Sequence, residues 1–195
     1  TDPNEQVQLA AIDAVGKIAF LWREEAASAL ARAFNTGEMA VVEKAGAGLQ
    51  SMEFAGATRI LREEFQSEEG IQAVVAARML YEEEQSEEAA EFLIRALSSD
   101  DEDVASAAQA SIKKLGPEMV PYLVEADTAK AKELVAVMRD EVVIPQLRAT
   151  LDAKKAATLL EALGYIADEK SVEVMKESFQ NPKNESSWRL AAAEA

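Results

Sequence analysis

The chain has no cysteine and no histidine. Without cysteine a disulfide framework is impossible, and thiol pairing says nothing about the redox compartment. Without histidine it lacks the commonest transition-metal ligand and most nucleophile–base pairs. Aromatics make up only 6% of the residues. No stretch approaches the roughly 20 apolar residues of a membrane helix, and no signal-peptide pattern opens the chain. Membrane insertion is therefore not expected, and the expected setting is the cytoplasm or another soluble compartment. Cations are also scarce: 20 Lys and Arg stand against 36 Asp and Glu, a formal charge of −16. That field repels phosphate backbones and anionic lipid surfaces, so nucleic acid is not an expected partner.

What the chain does have is alanine and aliphatic residues at helical spacing, with hydrophobic residues at 49% and almost no strand-like alternation. A pattern also returns along it. A small-residue helix is followed by a second helix carrying an apolar residue, three variable positions and a large apolar residue. The anchors are Leu30/Phe34, Leu61/Phe65, Leu93/Leu97, Leu147/Leu151 and Met175/Phe179. Recurrence after roughly 25 to 34 residues is the signature of a solenoid of helix pairs.

The units read as residues 1–37, 38–69, 70–99, 100–127, 128–152 and 153–182, with a partial seventh at 183–195. Thr1-Asp2-Pro3 suits a helix start. The first unit is expected as helices from about Asn4 to Ala19 and from about Trp22 to Phe34, closed by Gly37. In the fifth unit a break is expected at Asp140, between a helix from Thr128 to Arg139 and one from Glu141 to Leu151. No linker or domain boundary is visible, so a single domain over 1–195 is expected. The chain begins at Thr1 rather than Met, and the seventh unit stops after one helix. It is therefore expected to be part of a longer array, or to be covered there by another protein.

The first helices align as Val7 to Ile18, Val104 to Leu115, Ala156 to Ile166 and Trp188 to Ala195. Ala14-Val15-Gly16-Lys17-Ile18 and Ala162-Leu163-Gly164-Tyr165-Ile166 are nearly the same phrase. The segment Trp188-Arg189-Leu190-Ala191-Ala192-Ala193-Glu194-Ala195 resembles the HEAT-repeat consensus, in the short form of bilin-lyase-like HEAT proteins. The resemblance spans essentially the whole chain. It implies an all-α fold, a right-handed α-solenoid of about six HEAT-like helix pairs plus the first helix of a seventh. The family often stacks an Asp and an Arg from each repeat into a ladder. Here only Arg189 holds the arginine position, with Gln8 and Ala105 in its place elsewhere, so a ladder at that position is not expected.

Within this acidic chain, a basic residue follows the leading anchor of several second helices: Arg32, Arg62, Arg95, Arg148 and Lys176. In HEAT-like arrays the second helices line the concave face. There the five would form a stripe able to grip an acidic segment of a partner through forked guanidinium contacts. The plainer reading is a solvated helix surface, each cation paired with a nearby carboxylate such as Glu63, Glu91 or Glu177. Arg59 and Arg23 add to the count without deciding between the two. Trp188 and Arg189 mark the exposed terminal repeat as a second candidate contact.

The acidic clusters Glu82–Glu84 with Glu87 and Glu88, and Asp100–Asp103, lack the spaced ligands and turn glycine of a calcium loop. Helix-start stabilisation accounts for the second cluster. Gly46, Gly48 and Gly56 form no phosphate loop and are expected to allow close helix contact instead. No catalytic residue, metal ligand or cofactor emerges.

The leading expectation is a non-enzymatic scaffold or assembly factor that binds another protein along the concave groove or through the terminal repeat, as a subunit of a larger complex. The alternative implied by the resemblance is a bilin-lyase-like subunit that binds or helps attach a tetrapyrrole. Metal-dependent hydroxylases of HEAT-like build need histidine ligands and are excluded. The HEAT-like glycosylases have broadly basic grooves, against the charge of this chain.

Overall fold

A computed structural model describes residues 4–150, 152–181, 189, 192 and 193. Among these residues the structure is helical, with no strand. The α-helices are α1 (Glu5–Ile18), α2 (Arg23–Phe34), α3 (Met39–Gln50), α4 (Ala55–Ser67), α5 (Gly70–Glu84) and α6 (Glu87–Ala96). They continue with α7 (Glu102–Leu115), α8 (Val120–Ala126), α9 (Ala129–Met138), α10 (Ile144–Ala149), α11 (Ala153–Ile166) and α12 (Glu169–Gln180). A 3₁₀ turn at Gly116–Met119 precedes α8, and a π-helical segment at Arg139–Val143 joins α9 to α10.

Polar side chains start many of these helices by accepting otherwise unpaired backbone N–H groups. Asn4 accepts from Gln6 and Val7 at the head of α1. Thr1-Asp2-Pro3, expected to open that helix, lies outside the described residues. Asp101 accepts from the backbone of Asp103 at 2.9 Å and of Val104 at 3.3 Å. The acidic run therefore caps α7 and places Glu102 and Asp103 against its positive end. Thr128, Asp152 and Asp168 do the same for α9, α11 and α12. Several helices end in the left-handed region on residues other than glycine, namely Glu68, Gln85, Asp127 and Ala167.

The chain divides into two compact units, Thr1–Ser111 and Ile112–Ala195. In the first, α1 contacts α3 and α3 contacts α5, while α2 packs on α3 and also touches α4. The first helices of successive pairs thus lie side by side, and so do α2 and α4. Phe65 of α4 and Phe92 of α6 meet edge-on with ring centroids 5.5 Å apart. α5 is buried without interruption from Ala73 to Tyr81. By contrast, Ile12 is the one residue of α1 that is fully buried.

Glycine allows close approach where α3 meets its neighbours. A Cβ on Gly46 would sit 2.7 Å from Met79 Sδ and 2.8 Å from Phe34 Cε2, and one on Gly48 would press on Leu30. The anchors Leu30, Phe34, Leu61, Phe65, Leu93, Leu97, Leu147 and Met175 are buried, as the repeat pattern requires. Leu151 lies outside the described residues. Phe179 departs from the pattern at 44% exposure, with the Arg189 guanidinium 5.8 Å from its ring centre.

Ion pairs cross between successive pairs at about the repeat spacing, although not at the position the resemblance implies. Lys44 donates to Asp13 at 2.7 Å, joining α3 to α1. Arg78 on α5 is 2% exposed and donates to Glu43 of α3 at 2.7 Å and to Glu82 at 2.8 Å. In the second unit Arg139 pairs with Asp140 and Asp168, and Lys170 reaches Asp140 at 2.8 Å. A register of one Asp and one Arg per repeat misses these because carboxylate and cation occupy different turns in each pair.

In the second unit α11 contacts α8, α9, α10 and α12. The turn expected at Asp140 is absent. The chain runs from Ala129 to Ala149 in helical geometry, passing through the π segment. Pro145 explains the wider turn, because its ring lacks an N–H and crowds the carbonyl four residues back. A π turn absorbs that conflict while Met138, Val143, Ile144 and Leu147 all stay buried. Among the described residues no helix is long and apolar enough to cross a membrane, and no cluster of His, Cys, Asp or Glu is placed to hold a metal ion.

Candidate functional site

The side-by-side placement of α2 and α4 leaves an open groove of about 730 Å³ between them. Its lining follows from helical spacing. Ala27 and Ala31 stand one turn apart on α2, and Gly56 and Ile60 stand one turn apart on α4. Small side chains on both sides keep the groove wide. Phe54, just before α4, closes one end by folding over Gly56, where a Cβ would come within 2.4 Å of its ring. Glu24 and Ser28 on α2 and Arg59 on α4 supply the polar rim. Arg59 lies 3.5 Å from Glu63, one turn along the same exposed helix face. A pair of that kind is weak and screened, and leaves the guanidinium available. The groove therefore presents an apolar floor, one cation and one carboxylate, without an enclosed pocket.

Four of the five cations picked out in the sequence have a polar partner. Arg32 does not line this groove. It belongs to a smaller cleft of about 230 Å³ between α1 and α2, lined also by Val7, Ala11, Val15 and Ala33, and donates to Ser28 Oγ at 3.0 Å. Arg62 pairs with Glu84 at the end of α5. Arg95 lies 3.6 Å from Glu68 and 5.7 Å from the centre of the Phe92 ring. Arg148 is 4.0 Å from Glu177, a carboxylate the plainer sequence reading had named. Lys176 is exposed, with no ion pair among the described residues. At the terminal repeat, Arg189 donates to the Phe179 carbonyl at 3.1 Å, while Trp188 lies outside the described residues.

Arg62 also acts on the acidic cluster beside it. Partial burial pushes the Glu83 carboxyl above its ordinary range, neighbouring Glu84 adds to the rise, and Arg62 pulls the other way. In the second unit, Asp168 is held below the usual carboxylate range. The Ser171 backbone N–H, which donates to it at 2.8 Å, contributes most, with Arg139 adding to it. Asp140 is lowered further, by Arg139 first and then by Lys170.

The sequence passed over Glu24 and Ser28, and counted Arg59 only as one more cation. The signal that finds them is the i, i+4 spacing of apolar residues and glycine on two successive second helices, Ala27/Ala31 and Gly56/Ile60, with a cation next to one of those positions. No protein-family model matches this chain, and no curated protein matches it in sequence.

Proposed function

We propose that the chain is a HEAT-like array, a right-handed α-solenoid of stacked helix pairs, serving as a non-enzymatic scaffold for a partner protein. The groove between α2 and α4 receives a segment of that partner. The segment is apolar along one side, and one of its acidic residues reaches Arg59. The observation that carries this reading is the groove itself, open, floored by Ala27, Ala31 and Gly56, and rimmed by Arg59 and Glu24. The contacts of α1, α3 and α5 in turn, and of α2 with α4, support the stacked-pair architecture. Arg62, Arg95 and Arg148 contribute less than their number suggests, since none of them lines this groove.

The test is fluorescence anisotropy with a labelled amphipathic peptide carrying a central glutamate, set against the same peptide with lysine there. The glutamate peptide binds and the lysine peptide does not. Arg59→Glu weakens binding by about tenfold, the cost of removing one interfacial hot-spot contact. Ala31→Trp, which fills the groove, abolishes binding, while the circular dichroism of both variants stays helical. Binding unchanged by both substitutions would sink the proposal. Loss of binding only on joint reversal of Arg62, Arg95 and Arg148 would move the site to the cationic stripe.

A further inference from the structure

Away from that groove, the outer face formed by α1 and α2 leaves apolar surface uncovered. Val7 is 47% and Ile18 50% exposed, and Ala11 and Ala14 between them are exposed as well. These residues follow one another at three- and four-residue steps, so they form one stripe along α1. The turn beyond it carries Phe20, Leu21 and Trp22 at 72%, 65% and 58% exposure. Trp22 also holds the N-cap position of α2 without any side-chain cap, where a small polar residue would stabilise the helix. Three consecutive large apolar residues at an exposed turn, at the expense of a cap, are the pattern of an interface.

The charges on this face indicate what covers it. Glu25 and Arg32 lie seven residues apart on α2, so two helical turns place them on the same side. Arg32 lines the cleft between α1 and α2. Both are exposed, and neither has an ion pair among the described residues. A face with one acid and one base at opposite ends of a helix is complementary to its own copy turned end for end.

We propose that this face pairs with a second copy of the chain in a two-fold contact, α1 on α1 and α2 on α2, each antiparallel. With the axis midway between Glu25 and Arg32, each Glu25 meets the other copy's Arg32, giving two symmetric ion pairs. The hairpin of α1 and α2 then sets the register on α1. Val7 meets Ile18 of the second copy, and Ala11 meets Ala14, where the small side chains allow the helices close. The Phe20–Trp22 turn of each copy covers the ends of the other copy's two helices. The net charge of −16 opposes this association at low salt. Raising ionic strength from about 0.01 M to about 0.15 M shortens the screening length from about 30 Å to about 8 Å and strengthens the dimer.

Sedimentation equilibrium on the intact chain gives a mass rising with concentration towards twice 21.1 kDa. Glu25→Arg or Arg32→Glu alone weakens dimerisation at least tenfold, and the two combined restore it, because the swapped charges still meet. The register is read by cross-linking, with no native cysteine to interfere. A mixture of the Val7→Cys and Ile18→Cys chains oxidises to a covalent dimer, and neither variant alone does so. A mass of 21.1 kDa at every concentration overturns the proposal. A dimer that ignores the charge swap, or that links as readily through either cysteine alone, overturns it equally.

Discussion

Arg78 ties α5 to α3, and its loss should destabilise the first unit. Its guanidinium is 2% exposed and reaches Glu43 on α3 and Glu82 on its own helix, at 2.7 Å and 2.8 Å. Gln50 ties in as well, donating to Glu82 at 3.3 Å. Replacing Arg78 with Met keeps most of the side-chain volume, so cavity formation is a small part of the effect. What remains is two carboxylates brought together by the fold with no cation between them. Breaking a buried pair from one side costs about 3–5 kcal/mol. Glu43 and Glu82 keep 25% and 30% of their side-chain surface, and water reaching them offsets part of that. The expectation is about 3 kcal/mol, or a fall in Tm of roughly 6–12 °C for a chain of this size. Urea unfolding followed by circular dichroism measures it. The combined Glu43→Gln, Arg78→Met, Glu82→Gln variant should regain most of the loss, since replacing a whole buried network is often near neutral. A loss below about 1 kcal/mol for Arg78→Met, or no recovery in the triple variant, would refute the reasoning.

Four further outcomes are expected. Gly46→Ala should destabilise by about 1–3 kcal/mol in chemical unfolding, because the new methyl group meets Met79 and Phe34 inside contact distance. Ala167→Gly should stabilise by about 1 kcal/mol, since Ala167 ends α11 at φ 55°, a conformation that costs an L-residue and not glycine. Asp140 and Asp168 have lowered pKa values in the fold. Their contribution is therefore present above the unfolded carboxylate pKa of about 3.9 and lost as pH falls through the lower folded values. Thermal melts should show Tm dropping on that acid limb, less steeply in Asp168→Asn, which keeps the cap of α12 and removes the charge. The scaffold reading also expects no change in the visible band of a bilin mixed with the chain; a shifted band would favour the tetrapyrrole-handling alternative.

Helix content and the buried anchors were legible in the sequence, because an apolar stripe at helical spacing can be satisfied only by a helix with that side covered. Leu30/Phe34, Leu61/Phe65 and Leu93/Leu97 are all buried. The alternating i, i+4 pattern of second helices therefore set both the elements and their inward faces. Capping was legible for the same local reason, as Asp101 and Asp168 satisfy backbone groups only two or three residues away. The turn expected at Asp140 failed because Pro145 and the apolar residues on either side act together. A π turn satisfies both, and neither residue type alone signals one.

Tertiary structure alone decided which charges meet. Arg62 chooses Glu84, Arg95 chooses Glu68 and Arg78 chooses Glu43, through partners 22 to 35 residues away. In a chain with 36 carboxylates, any cation has many candidate partners, and only the crossing of the helices selects among them. The groove was likewise invisible in the chain, since it exists only where α2 and α4 lie side by side. Short-range periodicity determined the helices and the sides they bury. The spatial pairing of those helices determined where Arg59 stands over a groove and where Val7 and Ile18 are left uncovered.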